Sequence, residues 1–189
     1  MSTASNTSTQ DWNGIPLASL MEHIVQTHHV FCRQEITRLA SLFKSVIDSH
    51  GKDHPELKHI QIIFSRMSRD LSMHLVKEEQ TLFPYITKVE AAVVQETPVS
   101  WPPFGTVENP IRMMVLEHDK ADKEIEEMRK FSKEYQLPTD ANDQYVELYN
   151  ALAAFDRDMQ RHIHLEDNLL FPRAIAMEEE ACNRQKVKA

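Results

Sequence analysis

Cysteine, glycine and long apolar runs are scarce in this chain, and each scarcity closes a class of proteins. Two cysteines, Cys32 and Cys182, in 189 residues are too few for the disulfide framework of a small secreted module. Three glycines and no cluster of short β-branched segments argue against a sheet-rich fold built on tight turns. No run reaches the roughly 18 apolar residues of a membrane-spanning helix, and no basic, apolar leader opens the chain. The cytoplasm is the expected location, with no membrane partner. Positive charge is short as well. Lys and Arg number 21 against 29 Asp and Glu, a formal net charge of −8, which makes nucleic acid an unfavourable partner.

Hydrophobic residues make up 41% and charged residues 26%, a balance that suits one well-buried core at this length. Ten histidines against eight phenylalanines is a high count. Part of the reason is a pattern carried twice. Residues 74–84 and 162–172 each present a histidine, a glutamate four residues later, and then Leu-Phe-Pro: His74 with Glu78, His162 with Glu166. Residues four apart share one face of a helix, roughly 6 Å apart along the axis.

The polar, Ser/Thr-rich residues 1–14 read as a mobile tail, residues 15–180 as one helical domain, and residues 181–189 as a second tail. Pro16 suits the first turn of a helix over about 16–49, stopped by Gly51. A second helix runs from about 53–55 to 92, with Leu57, Ile60, Phe64, Met67, Leu71, His74, Glu78, Leu82 and Tyr85 inward. Residues 95–108, with three prolines and a glycine, form a long crossover loop. Asn109-Pro110 reads as a cap and first-turn proline for a third helix ending near Tyr135, with His118 inward. The fourth, from about Asn142 to Glu180, carries Tyr145, Leu148, Leu152, Phe155, Met159, His162, Glu166, Leu170 and Arg173 inward. The second and fourth stripes match at one offset of 88 residues (162 − 74), alike in character except at Tyr85 and Arg173. His29 and His118 differ by 89. An internal repeat with short, long and short connections predicts an all-α, up-down-up-down four-helix bundle. Pro84 and Pro172 should kink two helices just past the glutamates.

A lone inward histidine is most often a satisfied core residue. Four of them at one level with Glu78 and Glu166 are different. Two carboxylates buried among Leu and Met without Lys or Arg would each cost several kcal/mol, of the order given for unpaired buried ions. A pair of divalent ions removes that cost, and His/carboxylate sets on facing helices are how bundles hold two metals. Periodicity does not choose between His28 and His29. His50 lies roughly 30 Å from His29 if the first helix is continuous, and His54 and His59 share that far end. His164 points away, and His23 belongs near the site or at the surface. Asp70 and Glu117 are the preferred hydrogen-bond partners for ligand imidazoles, and Cys32 is an inert buried thiol.

These motifs, His74-x3-Glu78-Glu79-x2-Leu-Phe-Pro, Glu117-His118-Asp119 and His162-x3-Glu166-x3-Leu-Phe-Pro-Arg, resemble the hemerythrin-like HHE cation-binding domain over about residues 17–177. The likeness is strongest to its repair-of-iron-centres branch. It implies a non-haem di-iron centre with His29, His74, His118 and His162 as imidazole ligands, Glu78 and Glu166 bridging, and an oxo or hydroxo bridge. A histidine four residues before an arginine favours His29, ahead of Arg33. Longer members add an N-terminal module with an adjacent cysteine pair, whereas a short polar tail precedes the bundle here. The symmetric set, two histidines per iron, fits dioxygen carriage less well than the five-histidine hemerythrin pattern. The resemblance implies repair or protection of iron–sulfur clusters under nitrosative or oxidative stress, through NO or O₂ chemistry or iron donation, with O₂, NO or peroxide as small ligand and damaged Fe–S proteins as partners. A hemerythrin-like O₂/NO binding or sensing module without turnover is the second reading, and a metal-free interaction bundle the third. Ligand type alone also admits manganese or zinc.

Overall fold

The computed structural model describes residues 11–188, and the side chains of 11–185. The expected tail falls largely on residues 1–10, and the end of the second tail on residue 189, both outside the described residues. Trp12 is already buried, and Arg173 donates a hydrogen bond to its carbonyl at 2.9 Å.

Four helices account for the described chain, and there is no strand among the described residues. α1 spans 17–50, as Leu17–Ile24, a π turn Val25–His29 and Val30–His50. α2 spans 56–95, as Glu56–Lys77, a π turn Glu78–Leu82 and Phe83–Gln95. α3 is Glu108–Phe131. α4 spans 143–188, as Asp143–Leu165, a π turn Glu166–Leu170 and Phe171–Lys188. The bundle topology is the one the repeat implies.

The discontinuities expected at Pro84 and Pro172 take the form of π turns. The N–H of Phe83 reaches back to the carbonyl of Glu78, and that of Phe171 to Glu166. Each helix thereby takes in one extra residue just before a proline that has no N–H of its own to give. The π turn in α1 has no proline. There the N–H of Val30 reaches Val25, and the extra residue turns two consecutive side chains, His28 and His29, into the interior. Beyond it the buried face runs through Cys32, Glu35, Leu39, Phe43 and Val46, whereas Phe31, Ile36 and Leu42 are only partly covered.

Helix ends also differ in detail from expectation. α3 begins at Glu108, so Asn109 and Pro110 lie in its first turn. Asn109 does not cap it; its amide donates to the carbonyl of Phe104 at 2.8 Å. The amides at the N-termini of α1 and α3 are instead met from a neighbouring helix. Glu90 accepts from the N–H groups of Leu17 and Ala18 at 2.6 and 2.9 Å, and Glu178 accepts from Val107 at 3.0 Å. Asn142 does cap α4, accepting from the N–H of Tyr145 at 2.9 Å. Gly51 closes α1 in ordinary right-handed geometry. A Cβ there would stand 2.5 Å from the carbonyl oxygen of Ile47, so the glycine serves a close approach rather than a left-handed turn.

The core is divided in two. One apolar cluster gathers Leu39, Phe43, Phe64, Met67, Phe155 and Met159 with their neighbours. The other gathers Trp12, Leu20, Ile24, Ile86, Met114 and Phe171 with theirs. On every helix the passage from one cluster to the other crosses a histidine or a glutamate. A polar layer therefore lies across the middle of an otherwise apolar bundle.

Candidate metal centre

The layer consists of His29 on α1, His74 and Glu78 on α2, His118 on α3, and His162 and Glu166 on α4, every one buried. On α2 and α4 the histidine and glutamate are four residues apart at the end of regular helix, and the glutamate opens the π turn. Their ligand atoms form two groups, His29–Glu78–His162–Glu166 and His74–Glu78–His118–Glu166, with all atoms of a group within 4.8 Å of one another. Both groups contain both glutamates. The six residues expected from sequence meet at one point in the fold.

Within the layer, nitrogens and oxygens face each other at short range. Nε2 of His29 stands 3.2 Å from Nε2 of His162, and Nε2 of His118 stands 3.1 Å from that of His74. Glu78 Oε1 is 3.2 Å from His74 Nε2 and Glu166 Oε1 is 3.1 Å from His162 Nε2. These are ion-pair separations, yet all four carboxylate oxygens of Glu78 and Glu166 are buried without a hydrogen-bond partner. Four orphaned acceptors in the interior of one small domain is a costly arrangement. Donors about 2.1 Å from one first-row cation and at right angles to each other stand about 3 Å apart. The layer thus has the donor types, the spacing and the buried carboxylates that suit two cations, with Glu78 and Glu166 able to reach both.

The outer nitrogens of three imidazoles are fixed by carboxylates. Nδ1–H of His29 donates to Glu79 at 2.7 Å, that of His74 to Glu117 at 2.8 Å, and that of His118 to Asp167 at 2.9 Å. This pins each Nε2 lone pair toward the layer and makes the imidazole a better donor. Glu79 is steadied by Arg33 at 2.8 Å and Glu117 by Lys77. Of the two partners expected from sequence, Glu117 serves as expected. Asp70 does not. It pairs with Lys120 and lies toward solvent, because four residues before His74 the side chain sits on the rim of the α2–α3 cleft. Asp119 is exposed.

Protonation follows the charges. Burial works to lower His74, but the Glu78 carboxylate and the hydrogen bond to Glu117 outweigh it and raise the group to about 10. Burial likewise works against His118, and Asp167 and Glu166 raise it to about 9. His29 is raised through Glu166, Glu78 and Glu79 against the same desolvation. Glu166 is held well below the usual carboxylate range, with burial opposed by His162, His118 and His29. The hydrogen bond from His74 holds Glu117 at about 2.

The remaining histidines separate as the spacing implies. His50 and His54 meet Asp140 at the far end, and His164 is exposed beside Asn168. His28 is the alternative that periodicity left open beside His29. It is buried, with Nδ1 2.9 Å from Asp158, and is no part of either ligand group. Cys32 is free and buried against Met159, its Sγ donating to Sδ at 3.6 Å, and desolvation pushes its thiol far up.

A cleft of about 210 Å³ between α2 and α3 reaches His74 and His118 past Met67, Leu71 and Met159. The pairs Lys77–Glu117 and Lys120–Asp70 flank it. Among the described residues no helix is long and apolar enough to cross a membrane.

The family model for the hemerythrin HHE cation binding domain matches residues 20–174. A probable iron-sulfur cluster repair protein of Haemophilus influenzae is 31% identical over 166 residues, covering 88% of this chain and 69% of the relative. Iron-sulfur cluster repair protein YtfE of Yersinia pseudotuberculosis is 29% identical over 168 residues, covering 89% and 70%. YtfE of Yersinia pestis matches to the same extent.

Proposed function

The chain belongs to the hemerythrin HHE cation-binding family, and from that membership we propose that it is a non-haem di-iron protein acting in iron–sulfur cluster repair or protection under nitrosative or oxidative stress. The observation that carries the reading is the pair of fully buried carboxylates, Glu78 and Glu166, whose four oxygens lack hydrogen-bond partners and are shared between two histidine pairs. His29 and His162 would hold one iron, His74 and His118 the other, and Glu78 and Glu166 would bridge them. The relatives named for iron–sulfur cluster repair support the process and suggest damaged Fe–S proteins as partners.

When bound, the iron pair supplies one-electron chemistry and open positions for NO, O₂ or peroxide, or ferrous iron for transfer. The protein's own part is to aim and to limit. Glu79, Glu117 and Asp167 keep the Nδ1 protons of three imidazoles on the outside, so that each Nε2 faces inward. The two apolar clusters exclude water above and below the layer. The narrow α2–α3 cleft suits a diatomic or peroxide-sized ligand, being smaller than the pockets that enclose drug-sized molecules. Imidazole and carboxylate donors, with no thiolate among them, hold ferrous iron loosely enough to permit donation.

Metal analysis after anaerobic loading with ferrous iron tests the reading. Two irons per chain are expected, falling to one or none in Glu78→Ala and in Glu166→Ala. Retention of two irons in either variant would overturn the bridging assignment. An optical spectrum before and after NO then separates turnover from binding: catalytic loss of NO supports repair chemistry, and a stoichiometric, reversible adduct supports the binding or sensing module.

A further inference from the structure

The partners of the outer imidazole nitrogens match between the two halves of the chain except at one place. Glu117, beside His118 on α3, accepts from His74 Nδ1. The matching position beside His29 on α1 is His28 (117 − 28 = 89, as for 118 − 29). In consequence Nδ1 of His162, the counterpart of His74, is buried without a hydrogen-bond partner. His28 lies over the His162 ring instead, with centroids 5.6 Å apart and planes 3° from parallel. Asp158 holds His28 there through Nδ1. The edge of His23 meets His28 at 5.8 Å and 87°, and Trp12 covers His23 at 4.7 Å. Arg173 fixes Trp12 through its carbonyl, and the Thr27 hydroxyl lies 3.3 Å from His23 Nδ1. Four rings in contact therefore run from the layer to the partly exposed His23 and to Trp12. The other half has no such run: among the described residues the ring contact of His74 is with His118 alone.

Resting on the di-iron reading above, we propose that Trp12 is a sacrificial electron donor to the metal centre through the ring relay His23, His28 and His162. Indole is by far the most oxidisable of these four rings, and it stands at the outer end, where a radical is spent away from the ligands. The imidazoles serve as a packed bridge rather than as sites of oxidation. The step concerns a centre with one ferrous iron left when peroxide arrives. Hydrogen peroxide breaks its O–O bond and takes two electrons and two protons to give two waters. One electron would be supplied by the ferrous iron that the His29, His74, Glu78, His118, His162 and Glu166 side chains would hold, leaving that iron ferric. Trp12 gives the other and its indole N–H proton, the second proton comes from solvent, and the indole is left as a neutral radical. An external thiol can restore it by hydrogen-atom transfer, becoming a thiyl radical.

The sequence contains two tryptophans, and the second serves as an internal control. Trp101 is 53% exposed in the crossover loop, whereas Trp12 is 9% exposed. Peroxide-derived radicals acting from solvent would strike Trp101, and the relay would mark Trp12. The experiment takes protein oxidised to one ferrous iron per centre and adds one equivalent of hydrogen peroxide with a nitroso spin trap, which bonds to the radical without further oxidant. Peptide mass analysis locates the adduct. The expected result is an adduct on Trp12 with Trp101 unmarked, absent from the zinc-loaded protein, absent from that site in Trp12→Phe, and at least tenfold weaker in His28→Leu at equal iron content. Trp12→Phe keeps a ring in place, so it reads the claim even where His28→Leu loses iron. An adduct on Trp101, Met159 or Cys32 instead, or no protein adduct at all in a centre that peroxide oxidises, would overturn the relay and leave the di-iron reading standing. Failure to bind an iron pair at all would remove both.

Discussion

Glu90 and Glu178 stand at the same place in the two halves of the chain, 88 residues apart (178 − 90), and each closes the N-terminus of the helix that precedes its own. Glu90 on α2 takes the first amides of α1, and Glu178 on α4 takes Val107 at the head of α3. A helix start leaves N–H groups without partners and carries partial positive charge. A carboxylate from a neighbouring helix answers both needs and locks the pair in register.

Glu178 also accepts from the hydroxyl of Tyr85 at 2.5 Å and is buried. Glu178→Ala should therefore lower stability by about 2–3 kcal/mol through two stranded donors, and Glu90→Ala, part-exposed, by about 1 kcal/mol. Denaturant midpoints of the metal-free protein measure both. Equal effects would show that burial of the cap does not matter.

Glu117→Ala should weaken the metal site on the His74 and His118 side. Loss of a hydrogen-bond partner to a ligand imidazole typically costs about 10–100-fold in metal affinity. Competition with a chromophoric chelator should show one of two binding steps shifted and the other unchanged. Asp70→Ala, whose side chain faces Lys120, should leave both in place.

Metal loading should release protons. With His74 raised to about 10 and His118 to about 9 in the metal-free fold, both imidazoles are charged at pH 7.5, and a metal takes the neutral form. Calorimetry in buffers of different ionisation enthalpy should find proton release on loading at that pH, with about two protons coming from His74 and His118 and a further contribution from His29, which is also raised. The sign for stability follows from the upward shift. The stabilisation from these imidazolium groups is fully present below the unfolded value of about 6.5 and is lost as pH rises through about 9 to 10, because the unfolded state has by then already given up its protons. The melting temperature of the metal-free protein should fall across that window, and that of the loaded protein should not.

After α3, Lys133, Glu134 and Tyr135 all adopt left-handed backbone, with φ of 50°, 58° and 58°. Each such residue costs about 1–2 kcal/mol relative to right-handed backbone. Tyr135 is held there by its hydroxyl, which donates to Asp156 at 3.0 Å. Lys133 is exposed, so Lys133→Gly should raise stability by about 0.5–1 kcal/mol once the added freedom of the unfolded chain is set against the relieved strain. A thermal melt would show it.

The bundle and the convergence of six polar side chains were legible because they are periodic properties. A histidine and a glutamate four apart on one face, repeated 88 residues later on a matching apolar stripe, specify which faces turn inward, and inward faces of antiparallel helices must meet. The choice of His29 over His28 was not periodic information. It depended on the π turn Val25–His29, whose extra residue buries both side chains and gives them different neighbours. The partners of the outer imidazole nitrogens were legible only in part, since Glu79, Glu117 and Asp167 reach across to a different helix and Asp70 does not. The same holds for the caps from Glu90 and Glu178 and for the stack from Trp12 to His162. Local spacing along a helix is written in the order of residues; contacts between helices depend on rotation and register of two separate elements, and those are settled only when the whole core closes.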